Sequence, residues 1–349
     1  MLSKVLLSLL VAAGPVPADP PSWQPIRIHD YGGCDAMTHI VAVSHDDVWA
    51  FGHTDAVDDE CGDGGAHPVA QHWDGSAWRT ARLPGHIYGN VSAVGASSSA
   101  DVWAFTSNDV GTYYALHFDG TRWKDTGQRD ISGAVVLGRH HVWGYGTRTK
   151  FWNGYAWRTV SPVRPAPYVV SVVSGADAWG ITGPDTLSHF DGRSWKKVAL
   201  GSAMPADTDH RLLELTDVLA VSENDVWLFA ERLPDDLPEQ GAIPLAAHFD
   251  GRAWSRVALP ELRVWRLRAA ASDGAGGIHV IADRPGEDVS SAILSRSAAG
   301  RWSVRTPQAG GKRVELRDLV RIPGTKEVWA VGAVREGEMN TSSAVFALG

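Results

Sequence analysis

A two-part signature recurs along the chain, and it constrains the fold more than any other feature of the sequence. The first part begins a run of strand-forming residues with an acidic residue and a tryptophan, as in Asp101-Val102-Trp103. The second part places a turn shortly before another tryptophan, as in Asp119-Gly120 and Trp123. We expect a two-residue type I′ hairpin turn here, because Asp and Gly tolerate the positive φ angles that it requires. One such unit cannot bury its own aromatic faces, so its copies must stack on one another.

The sequence contains seven copies of the first part and six of the second. The first-part copies, of which the sixth is degraded, are Asp47-Val48-Trp49, Asp101-Val102-Trp103, His141-Val142-Trp143, Asp177-Ala178-Trp179, Asp225-Val226-Trp227, Gly277-Ile278-His279 and Glu327-Val328-Trp329. The second-part copies are Asp74-Gly75 with Trp78, Asp119-Gly120 with Trp123, Asn153-Gly154 with Trp157, Asp191-Gly192 with Trp195, Asp250-Gly251 with Trp254, and Ala299-Gly300 with Trp302. Repeats of this length with four short strands each are typical of β-propeller blades. The sequence therefore predicts an all-β, seven-bladed β-propeller.

The seventh copy lacks its last strand, and the start of the chain contains a candidate for it. The segment Ser22-Trp23-Gln24-Pro25-Ile26 resembles the one that begins at Ser76, whereas the seventh copy stops at Gly349. We therefore expect the N-terminal strand at Trp23 to pair with Ser343 to Leu348 in the C-terminal blade. This pairing would close the ring non-covalently and remove two exposed sheet edges.

Residues 1–18 have the pattern of a secretory signal peptide. Lys4 precedes a short apolar run, and small residues up to Ala18 offer a cleavage site. We expect residues 19–349 to form a single extracellular propeller domain. The apolar run is too short to be a stable membrane span. The net charge of −8 argues against nucleic acid and against an anionic membrane surface as partners.

Export also bears on the two cysteines. Cys34 and Cys61 are predicted to form a disulfide, because disulfides form and persist in oxidising compartments. In the predicted fold, Cys34 precedes the first strand of blade 1 and Cys61 follows the second strand, so both lie at one face of the ring. This placement supports the pairing independently.

The two faces of the predicted propeller differ. We call the strands of a blade a to d in chain order, with strand a innermost. The a–b and c–d turns are short in most blades and share one face, whereas the b–c and d–a loops vary in length and share the other, here called the loop face. Variation on one side of a repeat indicates the binding face. The segments expected there are 53–68, 106–112, 230–244, 282–291 and 332–342.

The first b–c loop carries a cluster of carboxylates. Clustered carboxylates can hold Ca²⁺, although the spacing matches no EF-hand loop and a solvated acidic loop is the simpler interpretation. Calcium is the only cofactor that the sequence brings into consideration. The cluster consists of Asp55, Asp58, Asp59, Glu60 and Asp63.

Four blades combine an Asp at the first part of the signature with a His near the end of strand c. Blades 3 and 6 lose both, with His141 and Phe151 in one and Gly277 and Ser297 in the other. The joint loss predicts a structural Asp–His hydrogen bond within each of the four blades rather than a metal site. The predicted pairs are Asp47 with His72, Asp101 with His117, Asp177 with His189, and Asp225 with His248.

The starts of the innermost strands should bring ionisable residues to the mouth of the axial channel. If the protein is an enzyme, the catalytic candidates are Glu214, Glu315, Arg317 and His39, which together are capable of acid–base chemistry. No common catalytic motif is present, however, and a hydrated channel lining is the alternative interpretation. The candidate ligand-binding residues are Trp265, Arg266, Arg268 and Tyr168. Trp265 and Trp152 lie outside the repeat pattern, which makes them better candidates for stacking on a sugar than the repeat tryptophans.

The paired signatures resemble the repeats of secreted bacterial β-propellers of the tectonin-like and kelch-like kind, including exported actinobacterial proteins. The resemblance covers residues 22 to 349. Because tectonin-type propellers are commonly lectins, it implies carbohydrate binding. The chain departs from them in its long acidic b–c loops, and it lacks the Ser-x-Asp-x-Gly-x-Thr-Trp box of sialidase propellers.

These observations lead to two functional hypotheses. The first is a secreted, monomeric, non-catalytic propeller that binds an extracellular glycan or protein on its loop face. The alternative is a secreted hydrolase or lyase that acts at the channel mouth.

Overall fold

A computed structural model describes ten segments of the chain, which together contain 28 β-strands and one short 3₁₀ helix, Gly201–Ala203. The described residues are 22–55, 66–108, 111–160, 167–204, 211–234, 242–260, 266–284, 290–335, 337 and 340–348.

The strands fall into seven four-stranded sheets, numbered here in chain order. The first strand is β1 (Trp23–His29). Blade 1 contains β2 (Ala36–Ser44), β3 (Asp47–Asp55), β4 (Ala66–Trp73) and β5 (Trp78–Ala81). Blade 2 contains β6 (Asn90–Ser98), β7 (Asp101–Ser107), β8 (Tyr113–Phe118) and β9 (Trp123–Asp125). Blade 3 contains β10 (Ile131–Gly138), β11 (His141–Gly146), β12 (Lys150–Trp152) and β13 (Trp157–Thr159). Blade 4 contains β14 (Val169–Ser174), β15 (Asp177–Gly183), β16 (Thr186–Phe190) and β17 (Trp195–Lys197). Blade 5 contains β18 (Arg211–Ser222), β19 (Asp225–Pro234), β20 (Ile243–Phe249) and β21 (Trp254–Val257). Blade 6 contains β22 (Arg266–Ser272), β23 (Ile278–Arg284), β24 (Ser290–Arg296) and β25 (Trp302–Arg305). Blade 7 contains β26 (Arg313–Arg321), β27 (Val328–Arg335) and β28 (Thr341–Leu348).

The blades form a closed ring. In each of the first six sheets the strands follow one another in chain order and pair antiparallel. The innermost strand of each blade contacts the innermost strand of the next, and β26 contacts β2 to complete the circle. The predicted all-β, seven-bladed β-propeller is therefore confirmed.

The predicted ring closure is also confirmed. Strand β1 is the outermost strand of blade 7 and pairs antiparallel with β28, with Trp23 opposite Leu348 and His29 opposite Ser343. The side chain of Trp23 is fully buried and lies 5.7 Å from the ring of His279 in an edge-to-face arrangement. The two ends of the chain thus share one sheet and one core.

The signature tryptophans hold neighbouring blades together. The second tryptophan of one blade packs edge-to-face on the first tryptophan of the blade before it, as Trp123 does on Trp49 at 5.4 Å and Trp157 on Trp103 at 5.6 Å. Such aromatic pairs contribute beyond the apolar area that they bury. The repeat tryptophans are therefore packing residues, and so is Trp152. It occupies the position of Phe118 in its blade and lies 5.4 Å from Trp103, so placing it outside the repeat pattern was wrong.

The Asp-Gly turns differ from the two-residue turn expected. Phe118 pairs with Trp123, so the c–d connection has four residues, and Asp119 accepts hydrogen bonds from the N–H groups of Thr121 and Arg122, both at 3.0 Å. Gly120 has a φ of +91°, and a Cβ atom there would lie 2.8 Å from the side chain of Ala100 in the a–b turn. The side-chain bonds of the aspartate fix this longer turn.

All four predicted Asp–His pairs are confirmed. The Nε2 atoms of His72, His117, His189 and His248 each lie 2.8 Å from an oxygen of Asp47, Asp101, Asp177 and Asp225, respectively. In blade 6 the sheet places Ser295, not Ser297, at the histidine position, opposite His279. Ser295 bonds the ring of His279 at 2.7 Å.

Several predictions concern parts of the chain outside the described residues. These are the signal peptide, Cys61 and most of the acidic cluster, namely Asp58, Asp59, Glu60 and Asp63, and nothing is described of the Asp55 side chain. The disulfide and the calcium site therefore stay predictions. Cys34 lies in the d–a loop before β2, where its backbone forms an isolated parallel β-bridge with Thr341. Within the described segments, no helix has the length and apolar character needed to cross a membrane.

Candidate functional site

The axial channel opens into a cavity of about 530 Å³. Residues from the innermost strands or the loops before them line it in all seven blades, so one ligand there would meet side chains from many repeats. The polar and ionisable residues that line it are Thr38, His39, Ser92, Ser132, Tyr145, Tyr168, Thr216, Asp217, Arg268, Arg317 and Asp318.

A β-bulge near the start of strand a positions several of these side chains. The register between strands a and b shifts at this point in every blade except the fourth. Blades 1, 2, 3 and 5 place a small hydroxyl residue in the bulge: Thr38, Ser92, Ser132 and Thr216. The hydroxyls of Ser92 and Ser132 donate to carbonyl oxygens of strand b at 3.3 and 3.2 Å. Bulges of this kind re-aim side chains.

Blades 6 and 7 place arginine in the same bulge. Arg268 and Arg317 occupy it, and both line the cavity. We call these two residues the arginine pair. The side chains of Arg268 and Arg317 are 40% and 32% exposed.

Two buried side chains, Asp283 and Ser291, fix the position of Arg268. Its Nε atom donates to Asp283 Oδ2 at 2.5 Å. The other oxygen of Asp283 accepts from the Ser291 hydroxyl at 2.6 Å, and that hydroxyl accepts from the backbone N–H of Leu316 at 2.7 Å. Because Asp283 and Ser291 are buried, this chain of bonds fixes the arginine and links blade 6 to blade 7.

One buried carboxylate holds Arg317. Glu315 accepts from Arg317 Nη2 at 3.1 Å through one oxygen and from Arg335 Nη2 at 2.7 Å through the other. Burial and the positive charge of Arg268 lower the pKa of Arg317 below its usual value. Two cations therefore share one carboxylate, and the guanidinium of Arg268 is close enough to repel that of Arg317.

The blade 5 side of the mouth is acidic. Glu231 and Glu214 pair across strands β18 and β19, and Arg266 Nε lies 3.7 Å from Glu231. Burial raises the pKa of Glu231, with a further contribution from Glu214 that Arg266 opposes. The phenol of Tyr168 donates to the Gly183 carbonyl at 3.2 Å, and burial and Glu214 raise its pKa.

Two carboxyl groups and a histidine lie deeper in the channel. Asp318 accepts from the backbone N–H of Ile40 in the next blade at 3.0 Å, and burial raises its pKa to about 6. Burial and the charge of Asp318 raise the pKa of Asp217 well above its usual value. Burial lowers the pKa of His39 to about 4, so its ring is neutral at pH 7.

The structure brings most of the predicted site residues to the loop face. Arg268, Tyr168, Arg317 and His39 line the cavity, and Glu315 supports Arg317. Arg266 and Glu214 lie beside them in blades 6 and 5. Trp265 lies outside the described residues. Sequence reasoning missed Asp217, Asp318, Asp283 and Arg335. Among the described residues, no group of three or more His, Cys, Asp or Glu is arranged to hold a metal ion.

Two grooves between blades offer aromatic surface away from the channel. One, of about 470 Å³ between blades 1 and 2, is lined by Trp49, Phe118 and Trp123 among others. Its repeat equivalent between blades 4 and 5 has about 490 Å³ and contains Trp179 and Trp254. Trp49, Trp123 and Trp179 are buried, so these grooves expose little of their ring surface.

No protein-family model and no curated protein matches the chain. Solved structures do. The structure of YCF48 bound to D1 peptide has a TM-score of 0.59 at 11% identity, over 95% of this chain and 96% of that one. YCF48 from Cyanidioschyzon merolae has a TM-score of 0.56 at 10% identity, over 93% and 98%. The extracellular domain of BT4673 from B. thetaiotaomicron has a TM-score of 0.59 at 9% identity, over 93% of this chain and 40% of that one.

At these identities the likeness shows the fold alone. The tectonin-like and kelch-like resemblance stays a prediction.

Proposed function

We propose that the protein is an exported binding module that takes an extracellular protein or peptide at the channel mouth on its loop face. The observation that carries this proposal is the set of partly exposed arginines that lie against buried carboxylates. Arg266, Arg268, Arg317 and Arg335 have side chains between 30% and 40% exposed, whereas Glu231, Asp283 and Glu315 are buried. Side chains fixed in this way lose little entropy on binding, and arginine is enriched in interfaces.

Two further observations support the proposal. The similar propeller YCF48 has been solved with a peptide bound, so the fold is able to take such a partner. The similar propeller from BT4673 is an extracellular domain, which agrees with removal of residues 1–18 as a signal peptide.

The hydrolase or lyase alternative is less well supported by the geometry. Glu315 accepts hydrogen bonds from two guanidiniums, which gives it a structural role in positioning Arg317 and Arg335. His39 is neutral at pH 7, and Asp318 accepts hydrogen bonds from two backbone N–H groups. These contacts give Glu315 and Asp318 structural roles.

The test is binding of residues 19–349 to a displayed peptide library and, in parallel, to a glycan array, with crosslinking and mass spectrometry to locate the contact. We expect selected peptides to crosslink near Tyr168, Arg268 or Arg317. Crosslinks confined to the short-turn face, or glycan binding in the grooves between blades with no peptide binding, would contradict the proposal.

A matched pair of variants serves as the control. Arg268→Gln removes a cation from the mouth, and Arg252→Gln removes an exposed cation from a c–d turn on the opposite face. We expect only the first substitution to weaken peptide binding. Turnover of a peptide or glycan substrate that is lost on Glu315→Gln would instead support the enzyme alternative.

A further inference from the structure

The bulge position departs from the repeat rule in two adjacent blades. In four blades it holds a small hydroxyl residue, and in three of those the hydroxyl donates to a carbonyl oxygen of the neighbouring strand. Arg268 and Arg317 replace it in blades 6 and 7. A repeat protein needs only the same small residue there to build its ring. Departures from local rules at particular copies are characteristic of functional sites.

The arginine pair retains donors for a ligand. Within the described chain, the guanidinium of Arg268 makes one hydrogen bond, through Nε, and that of Arg317 makes one, through Nη2. A guanidinium has five N–H donors in a planar fork that matches a carboxylate. Most donors of both residues are thus left for solvent or a ligand at a surface that lines the cavity.

Arginines are concentrated on the blade 6 and blade 7 side of the mouth. Arg268 contacts Asp283, Arg317 contacts Glu315, and Glu315 also accepts a hydrogen bond from Arg335, so two guanidiniums share one carboxylate. The protein as a whole has a net charge of −8, so this cluster of cations differs from the overall composition. Mutual repulsion between Arg268 and Arg317 adds to the attraction for one negative charge placed between them.

The blade 5 side limits where that negative charge is placed. Glu214 and Glu231 lie there as cross-strand neighbours, and Arg266 lies 3.7 Å from Glu231. An anion would therefore be repelled from blade 5 and attracted towards blades 6 and 7. The exposed ring of Tyr168 provides an apolar surface on the same cavity for the chain that carries the anion.

We propose that the arginine pair, Arg268 and Arg317, is a carboxylate-binding site that recognises an acidic peptide segment. The carboxylate comes from an Asp or Glu side chain or from the C-terminus of the peptide. Two forked guanidiniums match the planar oxygens of a carboxylate. This inference rests on the proposed function, because it names the group of the partner that the mouth receives.

The experiment uses arrays of N-acetylated peptides in four matched sets. The first set has a free C-terminal carboxylate and no acidic side chain, and the second has an amidated C-terminus and an internal Glu. The third has an amidated C-terminus and Gln in place of that Glu, and the fourth carries phosphoserine there. We expect residues 19–349 to bind the first or the second set, to bind the third at least about tenfold more weakly, and to lose affinity with added salt.

Variants test whether the arginine pair is responsible. Arg317→Gln and Arg268→Gln should each weaken binding of the acidic peptide about tenfold or more, whereas Arg252→Gln should leave it unchanged. Thermal unfolding of each variant checks that the ring is intact. Should Arg317→Gln fail to fold, Arg317→Lys keeps the charge but loses the fork, and weaker binding by a folded Lys variant gives the same answer.

The outcomes separate the two proposals. Equal binding of the third set, or full binding by both Gln variants with crosslinks still at the mouth, would overturn the carboxylate site and leave peptide binding standing. Preference for phosphoserine, or displacement of the peptides by a uronate oligosaccharide with higher affinity, would also overturn it. No binding to any peptide set would overturn the proposed function itself.

Discussion

Asp101 shows how one carboxylate joins two strands and a tryptophan within a blade. Its Oδ1 atom accepts from His117 at 2.8 Å and from Trp103 Nε1 at 3.0 Å, and Ser97 donates to the other oxygen. The rings of His117 and Trp103 stack with centroids 4.3 Å apart. These bonds lower the pKa of Asp101 although burial opposes them. The carboxylate therefore stays ionised and holds the blade together.

Asp225 provides a natural control for the energy of this contact. It bonds His248 at 2.8 Å and Trp227 at 3.0 Å, but its side chain is 39% exposed whereas that of Asp101 is fully buried. We expect Asp101→Ala to lower the free energy of unfolding by about 3 kcal/mol and Asp225→Ala by about 1 kcal/mol, because water replaces the lost partner only at the exposed site. Equal losses in urea unfolding would show that burial does not set the value of this bond.

The Asp–His pairs could be predicted from the sequence because both partners occur at fixed places in the repeat and are lost together from blades 3 and 6. The carboxylate partners of Arg268 and Arg335 could not be predicted in this way. Glu315 lies opposite Ala333, so Arg335 is its diagonal neighbour across the two strands, a contact that depends on register. Asp283 lies opposite Arg266 but bonds Arg268, because the bulge shifts the strand. A sequence without a known register contains no signal for either pair.

At the scale of elements, strand β1 decides whether the ring is closed. Trp23 is fully buried in the core of blade 7, while Ile28 on the same strand is 43% exposed. We expect Trp23→Ala to lower the free energy of unfolding by about 3–5 kcal/mol, as for other buried aromatic side chains. Ile28→Ala should change it by no more than about 0.5 kcal/mol. Chemical denaturation of both variants would measure this, and a small loss for Trp23→Ala would contradict the structural role of the strand.

The sequence was sufficient for the strands and their closure but not for the turns. Alternating strand-formers and tryptophans at fixed positions identify β1 and its partner without knowledge of the turn type. The two-residue connection in fact joins strands a and b, as between Ser98 and Asp101. The Asp-Gly pair begins a four-residue turn instead. The aspartate side chain stabilises this turn by accepting hydrogen bonds from two backbone N–H groups within it.

At the scale of the whole molecule, the blades share one sheet architecture, but the side chains that line the channel differ from blade to blade. Blades 1, 2, 3 and 5 present hydroxyls at the bulge, and blades 6 and 7 present arginines. One residue beyond the bulge, blades 5 and 7 carry Asp217 and Asp318. Asp318 bonds blade 7 to the Ile40 N–H of blade 1, and Asp217 interacts with the backbone of Ala270 in blade 6. The same carboxyl groups thus connect blades and set the electrostatics of the channel.

This connection predicts how the stability of the ring depends on pH. Burial raises the pKa of Asp318 from 3.8 to about 6, so the folded protein binds its proton more tightly than the unfolded chain does. The stabilisation is fully present below pH 4 and is lost as the pH rises through about 6. A shift of about two units corresponds to about 3 kcal/mol. Asp217, whose pKa is also raised, acts in the same direction.

Carboxylates with lowered pKa values act in a separate pH window. The pKa values of Asp47 and Asp101 lie below 3.8, so the stability that they contribute is lost only as the pH falls below about 4. His39, whose pKa is lowered to about 4, acts in the opposite direction over pH 4 to 6.5, so the contribution of Asp318 has to be measured as a difference between variants. In urea unfolding, the stability of Asp318→Asn relative to the wild type should rise as the pH increases from 4 to 6.5, because only the wild type loses the stabilisation of the protonated carboxyl group. A difference between the two proteins that does not change across this range would show that Asp318 is ionised in the folded ring at pH 5.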